Sequence, residues 1–124
     1  MHKIYFFFDI DGTLSTGLTA MIPESGVKAL AQLRANGHFT AIATGRLQAS
    51  AAAVAARYGF TDIVADGGWS VTHNGAIVEL ESLPAADCIA LNETHEKASV
   101  TWAVSPENDK LRVTKGKTYI PYAQ

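Results

Sequence analysis

Ile4 to Phe8 form an unbroken apolar and aromatic run, Ile-Tyr-Phe-Phe-Phe, and then the chain turns polar at Asp9-Ile10-Asp11-Gly12-Thr13. A strand with one face in water alternates apolar and polar side chains. A strand with apolar side chains toward both faces, here Lys3–Ile10 with its run Ile4–Phe8, predicts burial on both faces, as inside a parallel sheet. The same pattern recurs twice: His38–Ala43 stops at Thr44-Gly45-Arg46, and the short Asp62–Ala65 stops at Asp66-Gly67-Gly68. Helical spacing fills the intervals. Pro23 suits a helix entry, Val27, Leu30, Ala31 and Leu33 share one face, and Asn36-Gly37 provides the stop. Leu47, Ala51, Val54, Ala55 and Tyr58 define a second, alanine-rich helix closed by Gly59. Ser15–Ile22 reads as a loop or small hairpin. The order β-α-β-α-β over residues 1–65 implies an α/β fold whose parallel strands are joined by right-handed crossovers.

Beyond residue 65 the grammar changes. Ser70–His73 and Ala76–Leu80 flank Asn74-Gly75, the signal of a tight hairpin. After Leu83-Pro84, Pro84–Lys97 fits one amphipathic helix. Ser99–Ser105 and Leu111–Ile120 fit strands around the turn Pro106-Glu107-Asn108-Asp109. This stretch reads as the beginning of a second unit, too short to be a domain of its own.

Composition removes several function classes. Of 124 residues, 48% are hydrophobic, 18% charged and four are proline, so the chain can bury a core and is not disordered. Its apolar runs are far too short to span a membrane. Asp9 and Asp11 interrupt the place where a signal peptide needs its apolar stretch, so the expected compartment is the cytoplasm. Cys88 is the sole cysteine, which excludes an internal disulfide and a cysteine-cluster metal site. A net charge of −2 gives no general attraction to nucleic acid or to an anionic membrane.

The chemistry concentrates at strand ends. In an open parallel sheet, ligands bind beyond the carboxyl ends of the strands, where Asp9 and Asp11 fall. Two carboxylates two residues apart repel unless a cation or proton joins them. A hard, oxygen-seeking cation such as Mg²⁺ meets that need and also binds phosphate. The bland alternative is a strand end with two solvated aspartates, against which the following Gly12-Thr13 weighs. Thr44 and Gly45, a hydroxyl and a glycine amide opening a helix, form a candidate phosphoryl site, although alone they read equally as a turn and cap. Arg46 could meet an anionic substrate or be an ordinary exposed helix-start arginine. His2, His38, His73 and His95 lack ligand spacing, Asp66-Gly67-Gly68 reads as a turn near the same rim, and Trp69 and Trp102 read as packing residues. Cys88 reads as buried.

Asp9-x-Asp11-Gly12-Thr13-Leu14 followed by Ala43-Thr44-Gly45-Arg46 resembles the first two motifs of the haloacid dehalogenase-like hydrolases. More narrowly, it resembles their Cof-like sugar-phosphatase branch, in which Asn-Gly-Ala, here Asn74-Gly75-Ala76, commonly precedes an α/β cap. The likeness is specific over residues 4–46, fair to about Leu80 and loose beyond. It implies a Rossmann-like hydrolase core over residues 1–82, incomplete here, and the start of an α+β cap over residues 83–124. It implies Asp9 as nucleophile, Asp11 as general acid/base and Thr44 as holder of the phosphoryl group, with Gly12, Thr13, Gly45 and Arg46 around the phosphate. Mg²⁺ would be ligated by the Asp9 side chain and the Asp11 main-chain carbonyl. The substrate class would be small phosphorylated metabolites, sugar phosphates among them.

The chain departs from the family in one respect. The lysine and the Gly-Asp-x-x-Asn-Asp-like segment of complete members have no counterpart. Asn108-Asp109 lacks the preceding Gly-Asp, and Thr114-Lys115-Gly116 reads as part of a cap strand. The chain therefore resembles an N-terminal portion with little or no catalysis of its own, the alternative being a non-catalytic phosphate- or metal-binding module or an incomplete gene product. In the resembling family a further strand flanks the first one. Its lack predicts an open, apolar edge at Ile4–Phe8 and self-association of the isolated chain through it.

Overall fold

A computed structural model describes residues 2–17, 19–105, 108, 113 and 114. They form two compact units, one ending at Leu80 and the other beginning at Glu81. The first unit runs β1 (Tyr5–Phe8), α1 (Glu24–Ala35), β2 (Phe39–Ala43), α2 (Gln48–Tyr58), β3 (Ile63–Ala65), β4 (Ser70–His73) and β5 (Ala76–Leu80). The five strands make one mixed sheet in the order β1-β2-β3-β4-β5. The first three are parallel, with Phe8 opposite Ile42 and Ile42 opposite Ile63, and β4 and β5 add antiparallel. The β-α-β-α-β expectation for the first 65 residues therefore holds.

Leu30 of α1 and Ala51, Val54 and Ala55 of α2 fall into one buried cluster with Ile10, Ile42 and Ile63. Both helices thus cover the same sheet face, as strands added in one direction through crossovers of one hand require. That corrects the expectation for the first strand. Tyr5 and Phe7 are 60% and 57% exposed, while Phe6 and Phe8, on the helix-covered side, are half-buried. Neither α1 nor α2 lies over the other face, and among the described strands β1 pairs with β2 alone. The exposed rings cluster with one another: Tyr5 and Phe7 stand 5.3 and 5.9 Å from the Phe39 ring, and the Lys3 ammonium sits 5.2 Å over Tyr5. In α1 the apolar stripe is narrower than its spacing predicts, with Leu30 buried, Leu33 half-buried and Val27 and Ala31 exposed.

The hairpin forms as expected, with Asn74 and Gly75 both at positive φ, 50° and 78°, as a two-residue turn of this hand demands. Gly75 N–H donates to the Thr61 carbonyl at 2.8 Å. Asn74-Gly75-Ala76 therefore sits beside the amino end of β3, at the opposite end of the sheet from Asp9 and Thr44. Trp69, expected to pack, is 52% exposed.

In the second unit α3 (Ala85–Lys97) follows the N-cap Pro84, and its half-buried residues Cys88, Asn92 and His95 share one face. Cys88 is thus less buried than expected. Ser99–Ser105 is not a strand. It contributes a single antiparallel bridge, Val104 to Val113, closed by hydrogen bonds of 2.9 and 2.8 Å, and Ser99 at φ 55° breaks the extended backbone before it. The expected strand Leu111–Ile120, most of the turn at 106–109 and Lys115-Gly116 lie outside the described residues. Among the described residues, no helix is long and apolar enough to cross a membrane.

Candidate active site

Parallel strands deliver their carboxyl ends to one rim, and there Asp9, Thr44 and Asp66 follow β1, β2 and β3. A cleft of about 320 Å³ opens at this rim, lined by Asp9, Ala43, Thr44, Gly45, Val64, Gly67 and Gly68. Of the residues singled out in the sequence, Asp9, Thr44 and Gly45 are brought together in it. Asp11, Gly12, Thr13 and Arg46 lie outside its lining.

The loop after β1 is closed by its own backbone. Leu14 N–H donates to Asp9 O at 3.2 Å, Ser15 N–H to Ile10 O at 2.9 Å, and Gly12 N–H to Ser15 O at 2.9 Å. Ser15 is fully buried and returns a side-chain hydrogen bond to Ile10 O at 3.0 Å. Gly12 takes φ 80°, a conformation that suits glycine, and so reverses the chain between the two aspartates and Ser15. These bonds fix where Asp9 and Asp11 leave the strand.

The repulsion expected between the two carboxylates is relieved by a side chain. Arg46 Nε and Nη2 donate to the two oxygens of Asp11 at 2.7 and 2.6 Å, a bidentate fork. The hydrogen bond from Arg46 holds the Asp11 carboxyl below its usual 3.8, against a smaller opposing effect of burial. The same contact raises the Arg46 pKa further above its usual range.

Thr44 is buried, with its amide donating to Val64 O at 2.9 Å. Its hydroxyl oxygen accepts the Arg46 N–H at 3.1 Å, which leaves the hydroxyl proton for an acceptor in the cleft. Gly45 has no atom within 4 Å of where a Cβ would stand, so the cleft is unobstructed at the helix entry.

For a hard cation the donor set is small but of the right kind. Asp9 offers a carboxylate at the cleft, and no described residue donates a hydrogen bond to the Asp11 main-chain carbonyl. Among the described residues no three His, Cys, Asp or Glu side chains converge as metal ligands. A Mg²⁺ ion held by one or two protein oxygens, with water and phosphate completing six, fits this set. The Asp11 side chain is engaged by Arg46 instead.

The fold finds its counterpart in known proteins. The description of the haloacid dehalogenase-like hydrolases matches residues 6–122. The chain belongs to the haloacid dehalogenase-like hydrolases. A hypothetical protein from Geobacillus kaustophilus is 31% identical over 79% of this chain and 38% of its own, with a TM-score of 0.66. A subclass IIB sugar phosphatase of this superfamily is 28% identical over 80% of this chain and 39% of its own, at 0.66. A superfamily phosphatase from Bacteroides thetaiotaomicron shares the fold at 24% identity and a TM-score of 0.72, covering 86% of this chain and 40% of its own. The chain thus spans about two fifths of the length of these structures. A comparison with curated proteins found no match.

Three features of the rim have no local sequence signature, or only a weak one. The Arg46–Asp11 fork joins residues 35 apart, and no local pattern announces such a pair. Gly67 and Gly68 line the cleft, and their signal was present: two glycines at the end of a parallel strand. Asp66, between them and β3, reads in the sequence as part of a turn near the rim, with no sign of its bond to Gln48.

Proposed function

We propose that this chain carries the nucleophile-bearing part of a Mg²⁺-dependent phosphomonoester hydrolase acting on small phosphorylated metabolites, sugar phosphates among them. The observation that carries this reading is the meeting of the Asp9 carboxylate, the Thr44 hydroxyl and Gly45 in one cleft at the carboxyl rim of the sheet. The family membership and the 28% identity to a sugar phosphatase support it.

In this reading Asp9 attacks phosphorus through a carboxylate oxygen, and the phosphorus–alkoxide bond breaks, leaving an aspartyl phosphate. The Thr44 hydroxyl donates to a phosphoryl oxygen and holds the group in line. Asp11 gives its proton to the leaving alkoxide, then takes one from the water that attacks the acyl-phosphate. To donate, Asp11 must be protonated, whereas the Arg46 fork favours its ionised form, so Arg46 has to release Asp11 in the first step. Asp9 and the Asp11 carbonyl would hold Mg²⁺, which when bound supplies positive charge against the phosphoryl oxygens.

The Arg46–Asp11 ion pair also favours a second reading, phosphate binding without turnover. Calorimetry with Mg²⁺ and inorganic phosphate, beside hydrolysis of an aryl phosphate, separates the two. Hydrolysis that requires Mg²⁺ and disappears in Asp9→Asn supports the phosphatase. Binding with no hydrolysis supports the module, and hydrolysis unaffected by Asp9→Asn refutes Asp9 as nucleophile. Turnover by this chain is expected to stay well below the ~10 s⁻¹ of an ordinary enzyme.

A further inference from the structure

Asp66 is held in an unusual conformation. Its φ is 54°, and Gly67 and Gly68 follow at 65° and 109°, three successive residues in the left-handed half of conformational space. For glycine this is free, but for an aspartate it costs energy that surrounding bonds must repay. Three bonds tie this turn to the loop between β2 and α2, beside the local one in which the Asp66 carbonyl accepts the Trp69 N–H at 3.4 Å. Asp66 N–H donates to Arg46 O at 2.8 Å, and Gly67 N–H donates to Thr44 O at 3.3 Å. The Asp66 carboxylate accepts the Gln48 N–H, the first amide of α2, at 3.1 Å. That helix lacks a cap of its own, because its N-cap residue is Leu47. A carboxylate from the next strand end therefore does what Ser, Thr, Asn or Asp ordinarily does from the N-cap position. Gln48 in turn donates through Nε2 to Thr72 Oγ1 on β4, at 3.3 Å.

We propose that Asp66 is a positioning residue of the phosphoryl site. It clamps the Thr44–Gln48 segment so that the Thr44 hydroxyl faces the cleft and Arg46 reaches Asp11, while Gly67 and Gly68 form the side-chain-free wall opposite. This rests on the phosphatase reading above and adds a third strand end to the two that carry recognisable motifs. The bracing acts through the loop backbone: Asp66 fixes the Arg46 carbonyl and the Gln48 amide on either side of Leu47, and Gly67 holds the Thr44 carbonyl before Arg46, so neither Arg46 nor Leu47 can rotate without breaking one of these bonds. Gly67 and Gly68 have no atom within 4 Å of a Cβ position, so a side chain there would project into space now open to a ligand.

The test uses this chain, Mg²⁺ and inorganic phosphate as probe. Asp66→Gly removes the carboxylate and relaxes the backbone strain, so the fold is retained while the clamp is lost. Asp66→Asn keeps an acceptor oxygen and tolerates positive φ, and serves as the rescue. Thr44→Val controls for the phosphatase reading, and thermal unfolding of every variant controls for the fold. Asp66→Gly is expected to weaken phosphate binding roughly tenfold, with Asp66→Asn within about threefold of the parent. The Arg46 Nε–H resonance, fixed by Asp11 in the parent, is expected to shift or broaden in Asp66→Gly and to return in Asp66→Asn, which a merely stabilising role would not produce. Unchanged phosphate affinity and an unmoved Arg46 resonance in Asp66→Gly, with Thr44→Val impaired, overturn the clamp and leave the phosphatase reading standing. A parent chain that binds no phosphate, or a Thr44→Val variant that binds it fully, overturns that reading first.

Discussion

Arg46 grips Asp11 with two hydrogen bonds of 2.7 and 2.6 Å, joining the helix-entry loop of one strand to the polar loop of its neighbour. This contact depresses the Asp11 pKa below 3.8. Replacing the guanidinium, as in Arg46→Met, is expected to raise it toward that ordinary value. A carboxyl-carbon NMR titration of Asp11 in the two proteins reads the change directly, and an unshifted titration would show that the fork does not persist in solution. A lowered folded-state pKa means the pair contributes stability above the unfolded-state value and loses it as pH falls through the folded one. The side chains are partly exposed, so the stability share is small.

Asp62 anchors the far end of the sheet. Its carboxylate accepts the Thr61 hydroxyl at 2.7 Å and meets His73 Nδ1 at 2.6 Å, with the Asn74 amide at 3.5 Å. Burial acts to raise its pKa, but these hydrogen bonds together outweigh it and the net shift is downward. Stability from Asp62 is therefore present above pH ~4 and lost on further acidification, as carboxylates with a lowered pKa require. Asp62→Ala is expected to cost about 1–3 kcal/mol in urea unfolding at neutral pH, with a smaller difference from the parent near pH 3.

Ile42 is fully buried between β1 and β3 and belongs to the cluster that seats both helices. Ile42→Ala is expected to destabilise the first unit by about 2–5 kcal/mol, through lost burial and the cavity left behind. Chemical denaturation measures it, and a cost under about 1 kcal/mol would mean that the sheet and helices do not pack as described.

Gly59 closes α2 at φ 70°, and an added Cβ would meet Arg34 Nη1 at 3.4 Å. Gly59→Ala is expected to cost about 1–2 kcal/mol, since an L-residue pays that to enter the left-handed region. The contact itself adds little, because the end of a flexible arginine can yield. A lowered midpoint in thermal unfolding checks this, and an unchanged midpoint would place the helix end elsewhere.

The sequence by itself determined the order of elements in the first 65 residues, the hairpin at Asn74-Gly75 and the helix after Pro84. It also marked Asp9, Thr44 and Gly45 as candidates for one rim, because each follows the end of an apolar strand. These are local signals: apolar runs, helical spacing, and glycine or proline where the backbone turns. Tertiary structure decided the rest. Tyr5 and Phe7 look like core residues, yet they are exposed because both helices pack on the other side of the sheet. Ser99–Ser105 has the composition of a strand and forms one bridge. Asn74-Gly75-Ala76, a stretch singled out in the sequence by resemblance, lies at the opposite end of the sheet from Asp9. Arg46 with Asp11, and Asp66 with Gln48, meet across 35 and 18 residues. Such pairs exist only once strand register and crossover direction have set neighbouring strand ends side by side. Residue spacing encodes which face of an element is apolar, but a contact between two loops depends on the placement of every element that carries them.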